Sequence, residues 1–225
     1  MRCEITIQDT IKSIDFFDEL NNEQIEQLTS ISTVVSYPKK SILYYESDSN
    51  TQILFLVSGL LKIYKLDKFD NEIFLYHVYN NSMISELTRL DDESIYCFSN
   101  AEFTEDSSVL SIDYKKFKNL FLSKNILTIK LMNTLLDKTH QLQCIVNREL
   151  VFDATAKVAF MLNQDIEMFN KLKRQEVSFM LHIQPETLSR VLKRLTRNGT
   201  IDVIEGNVNI LNEEMLISTF RGVGV

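Results

Sequence analysis

The chain has 225 residues, 44% hydrophobic and 10% aromatic, which supports a real core and excludes disorder. The longest apolar run, Ile53 to Leu61, is broken by Ser58 and Gly59 and is too short to span a bilayer, so no membrane partner is expected. The formal net charge of −7 argues against a phosphate backbone as partner, yet residues 151–225 are neutral overall and the window 171–197 holds seven basic residues and two acids, a net of +5.

The N-terminus carries Glu4 and Asp9 and no apolar signal region, so a soluble cytoplasmic protein is expected. Cys3, Cys97 and Cys144 are an odd number with no close pair, which excludes a disulfide framework and CxxC-type metal sites. Residues 8–32 read as a helical lead-in. Asn21 with Gln24 forms a capping box, and Ile25, Leu28 and Ile31 follow at helical spacing. Residues 34–113 read as short strands: Val34-Val35, Ser41–Tyr45, Ile53–Val57, Leu60–Leu66, Ile73–Val78 and Val109–Ile112, separated by polar breaks. This pattern predicts an antiparallel sandwich or barrel.

Tyr114–Phe121 is a short amphipathic helix. A long helix then runs from about Asn125 to Arg148, without Gly or Pro. Leu131, Lys138 and Ile145 lie seven apart, as do Leu135 and Leu142, and together they predict a coiled-coil seam between two copies of the chain. Packing of this helix on its own barrel is the alternative. Residues 153–170 predict a further helix, with Val158, Phe160, Met161 and Leu162 as core.

A helix, a three-residue turn and a second helix follow. Pro185 suits the first position of the second helix, Leu188, Val191, Leu192 and Leu195 form its buried stripe, and Gly199 ends it. Ile201–Ile204 and Val208–Leu211 flank Gly206-Asn207, which predicts a hairpin. Helix, turn, basic helix and hairpin describe a winged helix-turn-helix, whose second helix presents N-terminal side chains to base edges. Glu186, Ser189 and Arg190 occupy those positions. Arginine bonds bidentately to guanine and a carboxylate accepts from cytosine. The plainer alternative is that Glu186 and Arg190 form a surface ion pair at i, i+4.

Arg174-Gln175-Glu176-Val177, followed by Pro185-Glu186-Thr187-Leu188-Ser189-Arg190-Val191-Leu192-Lys193-Arg194-Leu195, resembles the DNA-binding signature of the Crp/Fnr family of transcription regulators. Its Glu-x-x-Ser-Arg core resembles the Fnr branch. The resemblance extends to Ile14-Asp15-Phe16-Phe17 with Leu20 as an opening helix. It also covers Tyr37–Leu43 and Phe55–Tyr64 as a cyclic-nucleotide-binding-type β-roll. It implies that Glu186 and Arg190 read a G·C pair, that Ser189 contacts a neighbouring thymine, and that Arg174 and Gln175 hold phosphates. Lys193 and Arg197 are expected as further phosphate contacts. His182 stands where the family's turn usually has Gly; that slot favours φ > 0, which His tolerates, and a role apart from DNA is expected of it.

The family's nucleotide pocket uses a Gly-Glu pair and an Arg about ten residues on. Here Glu86 is present, Ser85 replaces the glycine, and Tyr96, Cys97 and Phe98 stand where the Arg belongs. Without a cation for the cyclic phosphate, cyclic AMP is not expected to bind. Three distant cysteines do not make an iron–sulfur site. Other signals remain open. Haem, sensing nitric oxide or carbon monoxide, would use His77 or His140. Thiol chemistry would use Cys97 or Cys144. A small organic or peptide ligand would sit among Phe74, Tyr76, Met83, Glu86, Tyr96, Cys97 and Phe98. Control by abundance, with no ligand, is the last option.

The expected fold is α+β. It comprises a β-roll sensor domain (1–122) with flanking helices, a dimerisation helix (123–150) and a winged helix-turn-helix (151–225). The expected protein is a homodimeric regulator on a palindromic Fnr-like DNA site, with RNA polymerase as the partner that the resemblance implies. A ligand-binding module that does not touch DNA is the rival reading. No nucleophile–base pair, HExxH or Gly-rich phosphate loop appears, so an enzyme is not expected.

Overall fold

The computed structural model describes residues 6–221; Cys3 and Glu4 lie outside the described residues. The chain divides into two compact units, Met1–Thr139 and His140–Val225, with the division inside one long helix. The fold is α+β. No helix among the described residues is long and apolar enough to cross a membrane.

The first unit opens with helices α1 (Ile7–Lys12) and α2 (Asn22–Ser30), joined through a 3-10 turn at Asp15–Phe17. The predicted capping box at α2 is reciprocal: Gln24 N donates to Asn21 Oδ1 and Asn21 N donates to Gln24 Oε1, each at 2.9 Å. Ten strands follow: β1 (Ser32–Tyr37), β2 (Ile42–Tyr44), β3 (Ser49–Asn50), β4 (Gln52–Ser58), β5 (Leu61–Leu66), β6 (Glu72–Val78), β7 (Ser82–Met83), β8 (Ile95–Tyr96), β9 (Asn100–Phe103) and β10 (Ser107–Asp113). They form two antiparallel four-stranded sheets, β1-β10-β4-β7 and β2-β9-β5-β6, with a small β3-β8 pair.

The alternating side chains of β4 and β10 serve two cores. Leu54, Leu56 and Val109 pack between the sheets with Leu61, Ile63, Val78, Ile84, Cys97 and Phe103. Ile53, Phe55, Leu110 and Ile112 point the other way, onto Ile11, Ile14, Phe16, Phe17 and Leu28 of the N-terminal helices. This is the two-sided burial that a strand with near-continuous apolar character requires. Helix α3 (Tyr114–Leu120) follows directly, capped by Asp113, whose side chain accepts from Lys116 N at 2.9 Å.

Helix α4 (Thr128–Leu150) is unbroken. Its predicted seam divides. Leu131 is 2% exposed and belongs to the core beneath the N-terminal helices, with Leu135 packed against it, while Lys138 Nζ donates to Ile84 O at 3.4 Å. Leu142 is exposed and Ile145 is partly buried. The apolar side chains left open are Ile129, Met132, Leu136, Leu142, Val146 and Leu150. The positions 129, 132, 136, 146 and 150 keep a heptad's a/d phase, displaced by about 100° around the helix from the predicted seam.

In the second unit the single helix predicted over 153–170 is two: α5 (Ala154–Gln164) and α6 (Ile166–Lys171). Asp165 makes the break. Its backbone leaves the helical region (φ −155°, ψ 72°) and its carboxylate caps α6 by accepting from Met168 N at 2.9 Å. Then come α7 (Arg174–Met180), α8 (Pro185–Arg197), β11 (Ile201–Ile204), β12 (Asn207–Ile210) and α9 (Glu213–Arg221). The hairpin turns at Glu205-Gly206 rather than at Gly206-Asn207. Both turn residues have positive φ, 51° and 87°, as a two-residue type I′ turn demands.

Candidate DNA-reading face and sensor pocket

Helix α8 is strongly two-faced. Leu188, Val191, Leu192 and Leu195 are all buried, and Pro185 takes the first position. The opposite face carries Glu186, Ser189, Arg190, Lys193 and Arg197, all exposed. Ser189 Oγ donates to Pro185 O at 3.0 Å, and Arg190 donates to Thr187 Oγ1 at 3.2 Å. No ion pair joins Arg190 to Glu186 among the described residues, so the surface-pair alternative is not realised. The guanidinium and the carboxylate therefore both keep hydrogen-bonding capacity facing outward.

The supporting helix α7 is anchored by Val177 and Ser178, both buried, and Gln175 is exposed at its start. Arg174, expected on a phosphate, is engaged within the unit. Its Nη2 donates to Gly206 O, and its guanidinium lies 4.8 Å over the Phe169 ring. Burial lowers its affinity for its proton, though a guanidinium stays charged. The bond ties the start of α7 to the tip of the hairpin. Asn170 holds the hairpin from α6: its Nδ2 donates to Val208 O at 3.0 Å, and Val208 N donates to its Oδ1 at 2.8 Å. The hairpin is thus fixed at both tip and strand, which sequence reasoning missed because the partners are distant backbone groups.

His182 lies in the turn between α7 and α8 at φ 51°, the left-handed conformation expected of that slot. Its Nδ1 is 2.9 Å from Glu149 Oε2.

In the first unit, Glu86 gathers its neighbours. Its carboxylate accepts from Tyr76 Oη at 2.9 Å, from Phe98 N at 3.2 Å and from Ser99 Oγ at 3.2 Å. Ser85, in place of the family's glycine, is buried, and its Oγ accepts from Leu54 N at 2.9 Å. Of the predicted pocket, Tyr76 and Glu86 therefore meet directly. Met83 belongs to the core under the N-terminal helices and Cys97 to the core between the sheets. Phe74 is buried; the rings of Tyr96 and Phe98 are exposed and pack edge to face at 4.7 Å. Ser99 was not singled out in the sequence, because an isolated serine carries no signal.

Burial raises Tyr44 and Tyr76, and the Glu86 carboxylate adds to both. Burial, then Asp48 and Glu86, push the Cys97 thiol up to about 11, so it stays protonated and is a poor nucleophile. Burial lowers Lys138 to about 8, with Glu86 opposing. His77 lies on β6 opposite Lys62, with Phe74 and Tyr79 around its ring. His140 is exposed on α4. No group of three or more His, Cys, Asp or Glu suited to a metal ion occurs among the described residues.

Known proteins share both units. Residues 34–124 match the cyclic nucleotide-binding domain, and residues 156–219 match the Crp-like helix-turn-helix domain. The chain is 24% identical over 210 residues to the anaerobic regulatory protein of Bacillus subtilis, covering 87% of each. A mutant of CooA from Carboxydothermus hydrogenoformans shares the fold with a TM-score of 0.67 at 20% identity, over 84% of this chain and 88% of that one. FixK2 from Bradyrhizobium japonicum does so with a TM-score of 0.64 at 18% identity, over 86% of this chain and all of the other.

Proposed function

We propose that this chain, similar in both units to Crp/Fnr-type DNA-binding transcription regulators, acts as a homodimer on a palindromic site resembling TTGAT…ATCAA. The observation that carries the reading is the open face of α8, where Glu186, Ser189 and Arg190 project from a helix whose other face is fully buried. In this reading Arg190 bonds a guanine O6 and N7, Glu186 accepts from the paired cytosine, and Ser189 lies against a neighbouring thymine. Gln175, Lys193 and Arg197 take phosphates. Arg174 acts through the hairpin it holds, with its remaining N–H groups available to a phosphate.

Two copies join through the stripe Ile129, Met132, Leu136, Val146 and Leu150, which is exposed among the described residues. Two-fold symmetry then spaces the recognition helices by one turn of DNA. RNA polymerase is the protein partner of a regulator so placed.

The signal is neither cyclic AMP nor an iron–sulfur cluster. Glu86 is already engaged by Tyr76, Phe98 and Ser99. The place of the phosphate-binding cation is taken by Tyr96, Cys97 and Phe98. The Bacillus subtilis relative is an anaerobic regulator, so oxygen-limited growth is the first condition in which to look for the signal.

A gel mobility shift tests the DNA reading. Arg190→Ala lowers binding to the palindrome by about 1–3 kcal/mol and relaxes the choice of base at one position. Equal loss on random DNA contradicts base reading. Titration calorimetry with cyclic AMP gives no heat at micromolar ligand; a saturating isotherm contradicts the sensor reading.

A further inference from the structure

A polar cluster of the second unit uses none of the side chains assigned to DNA. Glu149 stands in the last turn of α4, and three nitrogen groups converge on its carboxylate: Arg148 Nε at 2.7 Å, Lys157 Nζ of α5 at 3.1 Å, and His182 Nδ1 at 2.9 Å. Lys157 is only 8% exposed and also donates to Leu181 O at 3.2 Å. Leu181 and His182 are consecutive residues of the turn between α7 and α8. The end of the long helix therefore holds that turn twice, once at a backbone carbonyl through Lys157 and once at an imidazole.

An ionised carboxylate only accepts, so Nδ1 of His182 carries the proton in this pair. Burial works to raise the Glu149 carboxyl. The hydrogen bonds from His182, Arg148 and Lys157 outweigh it and hold the group at about 2, so the acceptor stays charged at physiological pH. The His182 backbone, at φ 51°, is in a region where a residue other than Gly is costly to hold. Toward its other end α4 grips the β-roll, through Leu131 in the core and Lys138 on Ile84 O.

We propose that the Glu149–Lys157–His182 cluster is the joint through which α4 sets the recognition helix, with Glu149 as a positioning residue for DNA reading. Fixing Leu181 and His182 fixes the entry into α8, and with it the direction in which Glu186, Ser189 and Arg190 point. A shift of α4 along its axis moves Glu149 and the turn together. The joint rests on the DNA-reading role of α8 argued above.

The test uses the full-length protein, a duplex carrying the TTGAT…ATCAA palindrome, fluorescence anisotropy, and a thermal melt of each variant. His182→Gly is the decisive variant, because Gly takes φ > 0 without strain while losing the imidazole. It melts close to the wild-type temperature, relief of the strained backbone offsetting the lost hydrogen bond, yet binds the palindrome roughly tenfold more weakly. Glu149→Gln binds more weakly by a similar factor, and the double variant is no weaker than the worse single one. Unchanged affinity in His182→Gly, or losses that add in the double variant, overturns the joint. Arg190→Ala in the same assay keeps the two readings apart. Loss there without loss in His182→Gly sinks the joint alone, whereas no loss there sinks the DNA-reading role on which it rests.

Discussion

Gly59 turns the chain from β4 to β5 at φ 100°, and a Cβ there would stand 2.1 Å from Ser107 Oγ and 2.8 Å from the Asp106 carbonyl. The backbone conformation and the contact with β10 both exclude a side chain. Gly59→Ala is therefore expected to cost about 2–4 kcal/mol in denaturant unfolding. Glu149 sets a pH limit on the second unit. Its folded pKa of about 2 lies below the ordinary 4.5, so its contribution is fully present above 4.5 and is lost as pH falls through 2. Glu149→Gln leaves the nearly buried Lys157 without its counter-ion; it should cost about 2 kcal/mol near neutral pH and flatten the acid limb of a stability–pH profile. Residues of this kind divide by how far the sequence announces them. The exposure of Glu186, Ser189 and Arg190 follows from helical spacing alone. The engagement of Arg174 with Gly206 does not, because the partner is a carbonyl 32 positions away that any residue type could supply. His182 was legible as a residue in a slot for positive φ, but its partner in α4 was not.

At the scale of elements, α4 shows how a seven-residue repeat leaves the choice of face open. A seven-residue repeat fits more than one face of a helix, and the sequence does not say which face its own domain covers. The structure gives Leu131, Leu135 and Lys138 to the β-roll and leaves Ile129, Met132 and Leu136 open. Two substitutions separate these faces. Leu131→Ala, at a 2% exposed site, should destabilise the chain by about 2–5 kcal/mol. Leu136→Lys, at 61% exposure, should leave the thermal melt of the protomer within about 0.5 kcal/mol while shifting sedimentation from dimer to monomer. Lys138 adds a pH signature. Burial places its folded pKa at about 8, below the ordinary 10.5, so stability rises as pH climbs from 8 through 10.5. Lys138→Met removes that rise and is expected to be neutral or stabilising, since it leaves no buried ammonium to desolvate. Elsewhere the legible strands were those with β-branched or aromatic runs. The two-residue strands β3, β7 and β8 and the polar start of β9 are defined by their partners. Helix α9, capped by Asn212 accepting from Met215 N at 2.9 Å, follows a strand too closely for its short pattern to stand out.

For the whole molecule, the −7 is a sum over unlike parts. The acid excess lies in the first 150 residues, while the +5 window covers α7 and α8. Such a division repels DNA from most of the surface and admits it at one face. Binding should therefore depend steeply on salt, with modest affinity for random sequence. The most direct test is a titration of the full-length protein into the TTGAT…ATCAA duplex and into a scrambled duplex of equal length, by fluorescence anisotropy over a range of salt. The account predicts two protomers per palindrome, at least about 10³-fold preference for the palindrome, and an affinity that falls steeply as salt rises. Equal affinity for the two duplexes, or binding that ignores salt, would contradict it.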